Sequence, residues 1–152
     1  MKLIIAFFML LWAGAAWAED VSLSSDVFVE RVETDGQGKN KIVLEAPKLV
    51  TPGDKLLFVL SYKNGSAAPA ADFVINNPIP AAVSFAGTDS QEALLSIDGG
   101  KSWGALASLK VNGADGAPRP ARPEDVTNIK WQFSRPIPAG GEGKLSFRGV
   151  VK

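Results

Sequence analysis

Proline recurs along the chain at positions 47, 52, 69, 78, 80, 118, 120, 123, 136 and 138, and fifteen glycines are scattered among them. Inside a helix a proline costs about 3 kcal/mol and a glycine about 1 kcal/mol relative to alanine. The longest proline-free window after residue 18, Ala81–Ala117, is cut by Gly87, Gly99, Gly100, Gly104, Gly113 and Gly116. Helices longer than a turn or two are therefore not expected. The chain has to build its core from strands.

The strand signal is a period of two. Leu56, Phe58, Leu60 and Tyr62 share one parity, with Lys55, Ser61 and Lys63 on the other. Ile129, Trp131 and Phe133 alternate with Lys130, Gln132 and Ser134, and Leu145 and Phe147 with Lys144, Ser146 and Arg148. Such alternation puts one face in a core and the other in water. Val27–Thr34 and Lys41–Ala46 flank the Gly-containing connection Asp35–Asn40, a hairpin signal. Phe73–Asn76, Val83–Ala86, Ala93–Ile97 and Leu106–Val111 supply further short strands. The expected class is all-β, an immunoglobulin-like antiparallel β-sandwich of about seven to nine strands. Asn112–Asp125 holds three prolines and no alternation, so it is expected as a mobile loop.

Met1-Lys2, the apolar run Leu3–Leu11 and the Ala16-Trp17-Ala18 step before Glu19-Asp20 have the layout of a secretory signal peptide. The uncharged stretch, residues 3–18, is shorter than the ~20 residues a membrane-spanning helix needs. Cleavage after Ala18 is expected, then a lead-in over residues 19–25 and one domain over 26–152. The exported product is expected in the periplasm or at the cell surface, with no membrane span left after cleavage.

Composition narrows the chemistry. Hydrophobic residues make up 46% of the 152 and charged residues 21%, which excludes a chain disordered throughout. Sixteen basic and sixteen acidic side chains balance, so no overall field attracts nucleic acid. With neither Cys nor His, thiol chemistry, disulfides, imidazole acid–base catalysis and nearly all zinc sites fall away. Stability must come from packing alone.

The remaining chemical groups each have an ordinary structural reading. A nucleophilic Ser would need a desolvated Lys as base, and Ser134 and Ser146 sit on polar strand parities. The carboxylate pairs Glu19-Asp20, Asp89 with Glu92, and Glu124-Asp125 fall in loops or at the terminus, without spacing that sets two across a cleft. Asp35–Asn40 has one carboxylate and an adverse Lys39, and Asp72 with Asn76 and Asn77 is no better for calcium. Arg119 and Arg122 lack the interleaved aromatics of a nucleic-acid surface. No catalytic, cofactor-binding or metal-ligating residue is assigned. Strand edges are the more physical binding feature, with Lys144–Val151 or Val27–Thr34 as the strands expected to present one.

The order of short motifs resembles the prokaryotic "conserved repeat domain" family, also catalogued as domain of unknown function number eleven. The elements are Pro52-Gly53-Asp54, the strand Leu56–Tyr62, Lys63-Asn64-Gly65, Ala68–Ala71, Phe73–Ile75, Pro78-Ile79-Pro80 and Val83-Ser84-Phe85. Asp98-Gly99-Gly100-Lys101-Ser102-Trp103, Ile129-Lys130-Trp131, Pro138-Ala139-Gly140 and Lys144–Val151 complete the order, across Leu49–Lys152. The resemblance implies an immunoglobulin-like sandwich of envelope and cell-surface proteins, and it brings no catalytic residues. The expected function is a non-enzymatic binding or structural module of the bacterial envelope, monomeric, with an envelope protein or polysaccharide as partner. The alternatives are a carbohydrate- or ion-binding accessory protein for an envelope enzyme, which concave exposed aromatics would favour, and a strand-donating periplasmic chaperone, which an unpaired apolar edge would favour.

Overall fold

The computed structural model describes residues 21–152. The expected leader Met1–Ala18 and the Glu19-Asp20 pair lie outside the described residues. Ten strands follow in order: β1 (Val21–Thr34), β2 (Asn40–Glu45), β3 (Lys55–Asn64), β4 (Val74–Pro78), β5 (Val83–Thr88), β6 (Ala93–Ser96), β7 (Lys110–Asn112), β8 (Pro118–Pro120), β9 (Asn128–Gln132) and β10 (Glu142–Val151). Two short 3₁₀ turns, Leu106–Ser108 and Pro123–Asp125, are the helical segments. The fold is an all-β antiparallel sandwich, as alternation and proline spacing predict.

One sheet has the order β2-β1-β3-β10-β5, the second β4-β9-β6, and β7 with β8 forms a small separate hairpin. Every pairing is antiparallel. Leu56, Phe58 and Leu60 of β3, Phe147 of β10, and Val83 and Phe85 of β5 turn inward from the larger sheet, and Ile75, Leu95, Ile129 and Trp131 meet them from the smaller one. Phe147 is the hub. It stacks on Phe58 with ring centroids 4.5 Å apart and lies 6.4 Å from the Trp131 ring across the interface.

Four expectations need correction. Residues 22–25, expected within a loose lead-in, belong to β1: Val21–Glu30 pairs along its length with β3. Three of the four are serines, but the ladder uses only backbone groups, and composition does not report those. The two strands expected at an edge lie inside the sheet order, β10 between β3 and β5 and β1 between β2 and β3, yet each is one-sided over part of its length: Val27 and Phe28 pair with β3 alone, Arg31–Thr34 with β2 alone, and Lys144–Ser146 with β3 alone. The expected strand Leu106–Val111 is divided into a 3₁₀ turn and β7. The expected loop Asn112–Asp125 instead folds as β8 plus a second 3₁₀ turn, which raises the count to ten strands. Pro118 and Pro120 have no N–H, but they alternate with Arg119, whose amide faces Val111. The ladder runs on through Ala121 N–H to Leu109 C=O and Gly113 N–H to Ala117 C=O.

β1 is longer than the sheet it belongs to. Its first ten residues pair with β3 and its last six, Val29–Thr34, with β2, so only Val29 and Glu30 have strands on both sides. The β1–β2 hairpin therefore projects beyond the sandwich as a two-stranded ribbon.

Candidate functional site

The acidic loops carry the candidate cation and acid–base residues. Asp35 accepts hydrogen bonds from the amides of Gln37 and Lys39 at 2.9 and 2.8 Å, which closes the hairpin loop around its carboxylate. Asp98 accepts from Ser96 Oγ, Ser102 Oγ and the amides of Lys101 and Ser102. These donors, the Ser102 hydroxyl foremost, hold the Asp98 carboxyl well below the usual carboxylate range. A carboxylate ringed by N–H and O–H donors organises a loop and has little left to offer a cation. Trp103 then folds back with its ring against Gly100, and Lys130 Nζ lies 4.5 Å from the ring centroid.

Asp125 pairs with Arg119 through two bonds of 2.7 and 2.8 Å and accepts the Arg122 amide at 2.8 Å. The Arg119 guanidinium and the Arg122 amide hold its pKa down to about 2. Arg119 is thus engaged within the segment, while Arg122 reaches only Glu124, at 3.9 Å. Asp54 follows the same rule. Gly53 takes a φ of 94° behind Pro52, the Asp54 amide closes the turn onto Thr51 C=O, and the carboxylate accepts the Thr51 amide. Arg31 donates to Asp54 at 2.6 Å and so ties the base of the β1–β2 ribbon to the β3 turn; that donation, followed by the Thr51 amide, lowers the Asp54 pKa.

The other candidates stay apart. Asn76 accepts from Asn128 at 3.4 Å and Asn77 donates to Pro78 C=O, while Asp72 is an exposed turn residue with φ 53°. Asp89 binds Arg148, which also reaches Glu30, on the outer face of the large sheet. Ser134 is exposed beyond β9, and Ser146 lies half-buried in β10. Among the described residues, no three Asp or Glu gather as a cation site would require.

Two surface features stand out. The first is a trough of about 420 Å³ on the outer face of the large sheet, lined by Ser22, Ser24, Ser61, Lys63, Glu142 and Lys144 together with Tyr62 and Gly143. Register puts Ser22, Lys63 and Glu142 in one row and Ser24, Ser61 and Lys144 in the next. Its hydroxyls and ammoniums suit hydrogen bonding to a polar ligand. Tyr62, half-buried, is the aromatic side chain on its lining.

The second is the projecting ribbon. Val32 is 66% exposed, Ile42 63% and Leu44 47%, and all three lie on the same face. β2 has a neighbour on one side only. The alternation in Val27–Thr34 and Lys41–Ala46 points to a hairpin, but nothing local in the sequence shows that β3 stops short of it.

No family model matches the chain, and neither the curated proteins nor the solved structures yield a match. No helix among the described residues is long and apolar enough to cross a membrane.

Proposed function

We propose that the protein is an exported, non-enzymatic, immunoglobulin-like module of the bacterial envelope that binds through strand edges and sheet surfaces rather than through a chemical site. The observation that carries this reading is the β1–β2 ribbon, three exposed apolar side chains beside an unpaired strand edge. β2 carries Lys41 and Glu45 but no proline, and an edge strand that keeps apolar side chains exposed beside its free backbone groups is one that a partner strand can extend. The loop carboxylates support the same reading, since Asp35, Asp54, Asp98 and Asp125 are each committed to loop geometry.

The immunoglobulin-like assignment rests on two antiparallel sheets with chain crossings between them and on the motif order given above. Its likeness to the conserved repeat domain stays a reading of that order. In an antibody constant domain the last strand joins the C–F sheet. Here β10 lies between β3 and β5, so the kinship proposed is one of architecture.

Two measurements test the proposal. Expression of the full chain in a bacterial host, with fractionation and intact-mass determination, should place a product beginning at Glu19 in the periplasm. Retention of Met1–Ala18 on a cytoplasmic product would remove export. A photo-crosslinker placed at Ile42 should then give crosslinked adducts in the envelope fraction that one placed at Ser134 does not, and equal labelling at both positions would remove the ribbon as the binding surface.

A further inference from the structure

The phase of the β1–β2 ladder shows which backbone groups of β2 point away from the protein. The Asp35 amide donates to Lys39 C=O at 2.9 Å, which makes Asp35 and Lys39 a hydrogen-bonded pair, and the next pair in register is Thr34 with Asn40. Hydrogen-bonded and non-hydrogen-bonded pairs alternate along an antiparallel ladder. Lys41, Val43 and Glu45 therefore spend their N–H and C=O groups on β1, while Asn40, Ile42 and Leu44 direct theirs outward.

The side chains of this edge complement themselves. Two β2 strands related by a twofold axis through Val43 place Ile42 opposite Leu44 of the second copy and Lys41 opposite Glu45. The outward amides and carbonyls of Ile42 and Leu44 then meet their counterparts as hydrogen-bonded pairs. Lys41 and Glu45 fall at the non-hydrogen-bonded pairs, where side chains approach most closely. On the other face, Ile42 and Leu44 of each copy merge with Val32 into one apolar strip. Backbone phase admits the registers that set Asn40, Ile42 and Leu44 opposite one another, exposed apolar surface is buried in them, and charge selects the one centred on Val43, which sets Lys41 opposite Glu45.

We infer that the β2 edge pairs antiparallel with the β2 edge of a second copy of this chain, centred on Val43, so that the two five-stranded sheets become one continuous ten-stranded sheet. The inference builds on the edge-binding part of the proposed function, names its partner, and replaces the monomer expected from sequence. It does not depend on export.

Charge exchange tests it. Lys41→Glu alone sets Glu against Glu45 at both ends of the interface, and Glu45→Lys alone sets Lys against Lys41. Each single variant should weaken self-association on the order of tenfold, since both cross-strand pairs pass from attraction to repulsion. Mixed in equal amounts, the two variants pair every Glu with a Lys, and a heterodimer should form. Sedimentation and light scattering from micromolar to millimolar concentration read this directly, with circular dichroism confirming that each variant is folded. As an independent variant, Leu44→Pro removes an outward amide while leaving the amides that face β1, and should give a folded monomer.

A wild-type protein that stays monomeric over the whole range overturns the inference, whether residues 1–20 or a different protein covers the edge. A dimer indifferent to all of these substitutions overturns it as well. Neither result would bear on periplasmic export or on crosslinking at Ile42 in the envelope fraction, so failure here is separable from failure of the proposed function.

Discussion

Asn64 has the same strand parity as Leu56, Phe58, Leu60 and Tyr62 and is fully buried at the end of β3. Its amide donates to the carbonyls of Ala68, Ile137 and Pro138, and its side-chain oxygen accepts from the amide and hydroxyl of Ser66. One side chain thus fastens the turn after β3 to the turn before β10. Asn64→Ala leaves several of these groups buried without partners and should cost about 3 kcal/mol in urea denaturation. Trp131 gives a contrasting case. It is 2% exposed and packs against Phe147, yet its Nε1 has no hydrogen-bond partner. Trp131→Ala should cost about 3–5 kcal/mol through the cavity it opens. Trp131→Phe removes the unpartnered N–H together with the lost volume, and should cost less than half as much in the same assay.

At the scale of the element, the segment from β7 to the second 3₁₀ turn depends on Asp125. A carboxylate with a depressed folded pKa adds stability above its unfolded value, about 3.9, and that contribution is lost as pH falls toward the folded value. For Asp125 the window therefore runs from near 4 down to about 2. Thermal melting should show a loss of stability through this interval. Asp125→Asn should lower the melting temperature near neutral pH and flatten the acid limb.

The same segment shows where sequence reading stops. β3, β9 and β10 are legible because Leu56–Tyr62, Ile129–Phe133 and Leu145–Phe147 alternate without interruption, and hydrophobicity is a property of each position. Asp35 and Asp98 are legible as turn residues because their bonding partners lie within four residues, and Asp54 through Thr51, though its bond to Arg31 spans 23 residues and carries no local signal. β8 escapes notice because its pattern lies in missing amides rather than in hydrophobicity. Neighbour relations escape too: whether β10 or β2 forms the sheet edge depends on pairings between residues far apart in sequence, as with Phe58 and Phe147. The trough likewise depends on three strands whose polar residues carry no joint local signal.

For the molecule as a whole, β3 is the keel, with β1 on one side and β10 on the other, both antiparallel to it and so parallel to each other. Val21 faces Asn64 at one end of β3, and Val150 faces Lys55 near the opposite end. The nine-residue offset corresponds to about 30 Å along the strands. Tension applied between Val21 and Val151 would run along the ladders and load their hydrogen bonds together, in shear. Tension between Val21 and Asn64, which sit at the same end, would peel β1 from β3 one bond at a time. Single-molecule pulling through the first pair of handles should therefore need the higher rupture force, and equal forces would contradict this account. A protein strung between two anchors in this way would give least in the direction in which its chain is drawn.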